Sequence, residues 1–219
     1  MDCICQYDNT FARKKEDGNN DFAKREHACA VPLVRTARNM RAAQGALLTN
    51  LPPGRIIIYV EVAGAMDVRI VRMPGFAVIG REGSTDEGGG FISRLWAEAN
   101  ARYGEIAKLV IMENGAPRGL WGAMSDMGRH MLPWEDGFTR GLYLAGAEVH
   151  KDAQAPAGWA RWDIPEHTWL MIPVLEGVPR AMQQGLEYME AHGLRLAGAV
   201  CDYTRPGEGE YCAFPVERA

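Results

Sequence analysis

What the 219-residue chain lacks narrows its chemistry first. No apolar run approaches the ~20 residues needed to cross a bilayer, so no membrane span is expected. The N-terminus shows no basic region followed by an apolar core, so no signal peptide is expected either. Neither the P-loop lysine nor a G-x-G-x-x-G spacing is present. Gly88-Gly89-Gly90 therefore reads as a flexible connection into a helix, not as a phosphate cradle. His130, His150, His167 and His192 are dispersed, without metal-ligand spacing and without a Ser–His–Asp arrangement. The five cysteines (Cys3, Cys5, Cys29, Cys201, Cys212) are odd in number and follow no disulfide framework, which points to a reducing cytoplasm. Cys3-x-Cys5 with His27 and Cys29 matches no standard zinc pattern. No metal and no cofactor are expected.

Excess positive charge is missing too. Net charge is −4. Residues 1–65 carry nine Lys/Arg against seven Asp/Glu, and residues 66–219 carry fifteen against twenty-one. An acidic main body argues against direct nucleic-acid contact and is compatible with cationic ligands. No pair of helices joined by a tight turn, as a helix-turn-helix reader needs, is found in the first fifty residues. With 47% hydrophobic and 24% charged residues, the composition is that of an ordinary globular chain. A cytoplasmic monomer is expected.

What is present divides at Met66. Residues 1–65 read as an extension, poorly ordered or the product of a mis-assigned start, with Pro52-Pro53-Gly54 as a breaker and a β-branched run over 55–62 that could add a strand. From Asp67 the pattern sharpens. Two short strands, 68–73 and 76–81, meet at a Met73-Pro74-Gly75 turn. A helix over 91–106 carries Ile92, Leu95, Trp96, Ala99, Tyr103 and Ile106 on one face. Strands follow at 120–126 and 139–150. The order then repeats: strands 160–164 and 168–175 joined at Ile164-Pro165-Glu166, a helix over 178–192 with Met182, Leu186 and Met189 on its apolar face and Gly193 as its stop, then strands 196–203 and 210–216.

The two halves also share residues. Leu120-Trp121-Gly122-Ala123-Met124-Ser125-Asp126 matches Leu196-Ala197-Gly198-Ala199-Val200-Cys201-Asp202, and Tyr143 matches Tyr211. The expected fold is α+β: a tandem pseudo-two-fold repeat of β-β-α-β-β units, forming an antiparallel sheet whose two helices flank a central cleft.

The stretch from Phe138 to Val174 gathers aromatic residues, with three tryptophans inside eleven residues. Trp96, Tyr143, Trp162, Trp169 and Tyr203 are the candidate pocket-lining residues, since such rings can sandwich a planar ligand. Asp202 and Glu148 are the candidate carboxylates, for holding a cation or activating water. Asp126 echoes Asp202 in the first half, which suggests a structural role such as capping a strand end. Residues 127–134 form either a lid or a long hairpin loop.

This order of motifs resembles the gyrase-inhibitor-like (GyrI-like) small-molecule-binding domain, also called the AraC or bacterial transcription-activator effector-binding domain. The resemblance rests on Phe91-Ile92-Ser93-Arg94-Leu95-Trp96, Tyr143-Leu144-Ala145-Gly146-Ala147-Glu148-Val149, Pro156-x-Gly158-Trp159, Ile164-Pro165 with Trp169-Leu170-Met171, and Phe214-Pro215-Val216. It covers 66–217. It implies a duplicated α+β fold with a hydrophobic cleft that takes drug-like, often cationic aromatic compounds, with an acidic residue inside. Some stand-alone relatives hydrolyse cyclopropane-bearing genotoxins, and others are linked to inhibition of DNA gyrase. One departure stands out. The family often places a buried glutamate closely followed by tyrosine on the penultimate strand, and here that region reads Val200-Cys201-Asp202-Tyr203. Either Asp202, one methylene shorter, or Cys201 takes the glutamate's place.

The resulting expectation is a stand-alone protein that captures amphipathic aromatic compounds. The alternatives are a hydrolase on the same fold, or a module that binds a protein partner such as gyrase or a regulator.

Overall fold

The computed structural model describes residues 56–63 and 66–219, with side chains from Val68 onward. The chain 1–55, with the metal-site residues considered above, lies outside the described residues. The β-branched run is a strand, β1 (Ile56–Ala63), paired antiparallel with β2 (Met66–Met73). There follow β3 (Phe76–Ser84), α1 (Phe91–Ala101), the two-residue strands β4 (Met112–Glu113) and β5 (Ala116–Pro117), β6 (Leu120–Ser125), the single distorted turn α2 (Glu135–Phe138) and β7 (Leu142–Val149). The second half comprises β8 (Ala160–Ile164), β9 (His167–Pro173), α3 (Val178–Ala191), β10 (Leu194–Leu196), β11 (Cys201–Arg205) and β12 (Gly209–Arg218).

Nine strands form one curled sheet in the order β1-β2-β9-β12-β11-β6-β7-β3-β8, and β10 adds to β12. Read outward from the central β11–β6 pair, the order is the same on both sides: β6, β7, β3, β8 against β11, β12, β9, β2. The first strand of each half therefore sits in the other half. This corrects the expected hairpins, because β2 pairs with β9 and β3 pairs with β8. Met73 faces His167 and Phe76 faces Ile164, so the register runs on unbroken past Pro74-Gly75 and Pro165-Glu166. The two proline segments are bends in one long antiparallel ribbon. Proline cannot donate to a ladder, so a break in pairing is cheapest there.

Period-2 burial splits the strands between two faces. The inner face of the curl holds a cluster shared by both halves, with Trp121, Trp169, Trp162, Phe76, Tyr203 and Cys201 among its members. Trp121 is at its centre, its ring 4.7 Å from Phe76, 4.5 Å from Tyr203 and 5.4 Å from Trp169. The outer face carries the helices. Phe91, Leu95 and Trp96 of α1 pack on Tyr143 and Ala145, and Ala181 and Met189 of α3 pack with Leu170, Cys212 and Phe214.

Both helices differ from expectation in detail. α1 stops at Ala101 and continues as a 3-10 turn, Tyr103–Glu105. Gly104 lies in that turn, and Glu105 accepts from Arg102 and from the Trp159 indole at 2.9 Å. α3 ends as expected before Gly193, whose positive φ of 62° favours a residue without a Cβ. Its inward face is Ala181-Gly185-Met189, and Leu186 is left 44% exposed. A Cβ at Gly185 would sit 2.2 Å from the Phe214 ring, so this helix lies closer to its sheet than Leu186-inward packing would allow.

Candidate functional site

The cleft opens on the outer face, at the middle of the sheet. Its wall is formed by Trp96 and Gly122 from the first half, and by Val174, Asp202, Tyr203, Thr204, Glu210 and Tyr211 from the second. It is shallow: the space of about 290 Å³ among these residues includes the open solvent at its mouth.

One hydrogen-bond chain organises it. The Trp96 indole N–H donates to the Tyr143 hydroxyl at 3.0 Å, and that hydroxyl donates to Asp202 Oδ2 at 2.8 Å. Trp96 comes from α1, Tyr143 from β7 and Asp202 from β11, so the chain ties together three elements from both halves. Gly122 makes room for it. Gly122 faces Asp202 across β6 and β11, and a Cβ there would lie 1.9 Å from the Tyr143 hydroxyl oxygen. An ionised carboxylate has about four acceptor positions, and Tyr143 takes one of those on Asp202.

The expected site residues separate. Trp96, Tyr143, Tyr203 and Asp202 come together at the cleft. Tyr203 borders it, while its ring packs at a tilt against Trp121 in the inner cluster and its hydroxyl donates to the Arg118 carbonyl at 3.3 Å. Trp162 and Trp169 lie in that inner cluster. Trp162 donates to Glu82 at 2.7 Å, and the Trp169 ring packs edge-on against His167 at 5.5 Å. Of the three tryptophans expected there, Trp96 alone borders the cleft, with the rings of Tyr203 and Tyr211. Glu148 is 1% exposed and forms an ion pair with Arg118. It faces Val78 of the inner cluster across β7 and β3, away from the cleft.

The structure decides between Cys201 and Asp202. Cys201 points into the inner cluster, and burial pushes its thiol up to about 12. Burial also raises the Cys212 thiol. Both are inert at neutral pH. Asp202 holds the cleft position.

Asp126 has the capping role. Its Oδ1 accepts from the His130 backbone N–H at 2.7 Å and the Ser125 hydroxyl at 2.9 Å, and its Oδ2 pairs with His130 Nδ1 at 2.7 Å. Burial opposes the charge and is the largest single influence. The hydrogen bonds from His130, Ser125 and Leu132 together outweigh it and hold the carboxyl down to about 2. The loop it caps is no lid. Met131 accepts from the Ala199 backbone at 2.8 Å and packs on the inner cluster, and no residue of 127–134 lines the cleft.

Gly122, Val174, Thr204, Glu210 and Tyr211 went unread in the sequence. A signal for two of them existed. Counted along the paired strands from Pro74 and from Pro165, Gly122 corresponds to Asp202 and Tyr143 to Glu210. The sequence match had paired Asp126 with Asp202 and Tyr143 with Tyr211, so its register was off. Among the described residues no cluster of His, Cys, Asp and Glu could hold a metal ion, and no helix is long and apolar enough to cross a membrane.

No family model and no curated protein matches the sequence. Solved structures do. EcmrR, determined in a complex with DNA, is similar at a TM-score of 0.50 and 11% identity over 70% of this chain and 58% of that one. The EcmrR C-terminal domain is similar at 0.49 and 11% identity, over 71% of this chain and 100% of that domain. SAV2435, bound to tetraphenylphosphonium, is similar at 0.48 and 14% identity, over 70% and 94%. At these identities the likeness is one of fold, and that fold is the GyrI-like, effector-binding one read from the sequence.

Proposed function

We propose that the chain is a binding protein that captures amphipathic aromatic cations in its central cleft. The observation that carries this reading is the Trp96–Tyr143–Asp202 chain, which holds a broad indole and a carboxylate at one cleft. A cation over the indole would gain about 0.5–2 kcal/mol from the ring, and the carboxylate would neutralise its charge. Glu148, the other carboxylate candidate, is engaged with Arg118 on the other face of the sheet. Asp202 shares the cleft with Glu210, and the fate of the compound in the test below separates capture from turnover. The fold also serves regulators, but any link of this chain to transcription belongs to this proposal, and so do its cytoplasmic location and monomeric state.

The test is calorimetric titration with planar aromatic cations, followed by mass spectrometry of the recovered compound. Saturable one-to-one binding, compound returned unchanged, and a loss of about tenfold or more in affinity for Trp96→Ala would support the reading, since a ring contact and its apolar area are both lost. Binding that ignores both Trp96→Ala and Asp202→Asn would overturn it. A hydrated product would convert the proposal into the hydrolase reading, with Asp202 as the first base to examine.

A further inference from the structure

The sheet has two ends, and they are finished differently. Counted outward from the β11–β6 axis, β2 and β8 are the fourth strands of their halves. β1 covers the outer side of β2 with a ladder from Ile56 to Ala63. At the equivalent place beside β8, no strand stands among the described residues. β8 also lacks the common devices that spoil an edge for pairing. It has no lysine, no proline and no bulge, and its ladder with β3 runs without a break from Ala160 opposite Gly80 to Ile164 opposite Phe76. A regular strand with one side unfilled is a template for another strand.

The sequence of β8, Ala160-Arg161-Trp162-Asp163-Ile164, is its own complement. Two copies laid antiparallel about Trp162 set Arg161 of each opposite Asp163 of the other, and Ala160 opposite Ile164. Opposite charges that face each other across a ladder stabilise it, and like charges oppose it. Arg161 and Asp163 are two apart and so share a face. Within one chain they already touch: Arg161 donates to Asp163 Oδ2 at 2.6 Å and to the Lys151 carbonyl at 2.9 Å. The Asp163 side chain is still 70% exposed, so a second guanidinium can reach it, and the pairing closes four charges into an alternating ring.

We propose that β8 is a homodimer edge, at which two copies join their sheets by antiparallel β8–β8 pairing about a two-fold axis at Trp162. A second copy is favoured over another occupant because it supplies the arginine–aspartate order in the required register. A two-fold contact of this kind is closed and stops at two copies. It is also small. Five residues a side are far fewer than the roughly 20–30 of a standard interface. The dimer is therefore weak, with a Kd between about 1 μM and 1 mM, and the monomer proposed above is the form present in dilute solution.

Sedimentation velocity of the full chain across that concentration range makes the test. Arg161→Asp renders the edge doubly acidic, and Asp163→Arg renders it doubly basic. Each variant alone should self-associate more weakly by about tenfold or more, because like charges then meet at two places. Mixed one to one, the two variants restore both opposite-charge pairs and should dimerise as the wild type does. Circular dichroism checks that each folds, and Asp163→Arg, at the exposed position, carries the test if Arg161→Asp does not. A wild-type chain that stays monomeric up to about 1 mM overturns the proposal and leaves the edge to another segment or partner. A dimer that survives Asp163→Arg unchanged also overturns it, because the contact then lies elsewhere. So do variants that are weakened alone and not rescued by mixing, because the charges then do not face each other.

Discussion

Two halves of one sheet, alike in strand order, have taken on different work. Each supplies four strands around the β11–β6 axis and one helix on the outer face. In the first half the central position is Gly122, and the helix turns Trp96 inward to bond Tyr143. In the second, the central position is Asp202, and the helix leaves Leu186 at the surface. A symmetric cleft would present the same chemistry twice and suit a symmetric ligand. This one sets Gly122 and Tyr143 against Asp202 and Glu210 at the matching places, so its two sides differ in charge. The lesson is that in a sheet with the same strand order on both sides of an axis, glycine against aspartate and tyrosine against glutamate suffice to make the two sides of a groove unlike.

The inner face carries the sharpest inequality, and breaking it should have the largest effect. Trp121 corresponds to Cys201, and the fully buried indole does most of the filling. Trp121→Ala should cost about 3–5 kcal/mol of unfolding free energy, as removal of large buried aromatics does. Cys201→Ala should cost about 1 kcal/mol, since a single small sulfur is lost. Urea denaturation of both variants measures the difference. Equal losses would mean that the inner cluster is not centred on Trp121.

Next comes the axis itself. Gly122→Ala places a methyl group where the Tyr143 hydroxyl lies. Tyr143 must move and its bond to Asp202 must break, costing about 1–3 kcal/mol as overpacking does. Ligand affinity should fall with it. Asp202→Gly makes the two halves alike at the axis and should unfold less easily than Gly122→Ala, because it deletes contacts without creating a clash. If Gly122→Ala retained full stability and binding, the hydrogen-bond chain would not organise the site.

These comparisons also show how far the sequence reached. The helix over 178–192 was legible because capping and periodicity are local: Pro179 near its start, Gly193 after its end. Trp96, Tyr143 and Asp202, joined by hydrogen bonds in the structure, could be named because the order of motifs marks α1, β7 and β11. The bent ribbon was not, because Met73-Pro74-Gly75 has the same local chemistry whether the chain turns back or crosses to the far half. That choice is settled by pairing with β8 and β9, ninety residues away in sequence. Alternation identified which residues share a face, but gave no sign of which face holds the cleft. Trp162, Trp169 and Glu148 were misjudged for that reason alone. Glu210 escaped because it neighbours Tyr211, and a ring is the easier match for Tyr143 than a carboxylate.

A third difference lies in the loops. The first half joins β6 to β7 by a long segment capped by Asp126, whereas β11 joins β12 through a short turn. Asp126→Asn should destabilise by about 1–2 kcal/mol, because the charge-assisted bonds weaken while the shape stays. The pH dependence has a defined sign. The folded carboxyl is held near 2, below its unfolded value of about 4. Its contribution is therefore complete above about pH 4 and is lost as the pH falls through about 2. Acid titration of wild type and Asp126→Asn by circular dichroism should show the two curves converging in that window. Parallel curves would remove Asp126 from the account of the loop.

The smallest stability effect belongs to the helices, and it tests the walls most directly. On α3, the counterpart of α1 in the second half, Leu186 is left 44% exposed. Leu186→Trp would make both helices present an indole. An exposed substitution of this kind should change stability by no more than about 0.5 kcal/mol. Its effect on binding depends on whether orientation matters. If the ligand's ring lies only on Trp96, a second indole on α3 adds little to the affinity for a planar aromatic cation and leaves the Trp96→Ala defect in place. If instead the double variant Trp96→Ala, Leu186→Trp recovers wild-type affinity, the ring can lie on either side, and the cleft does not orient the ligand. Wild type and the double variant each carry one indole at these two positions, on α1 and on α3 respectively, so an affinity difference between them reports where the ring must lie.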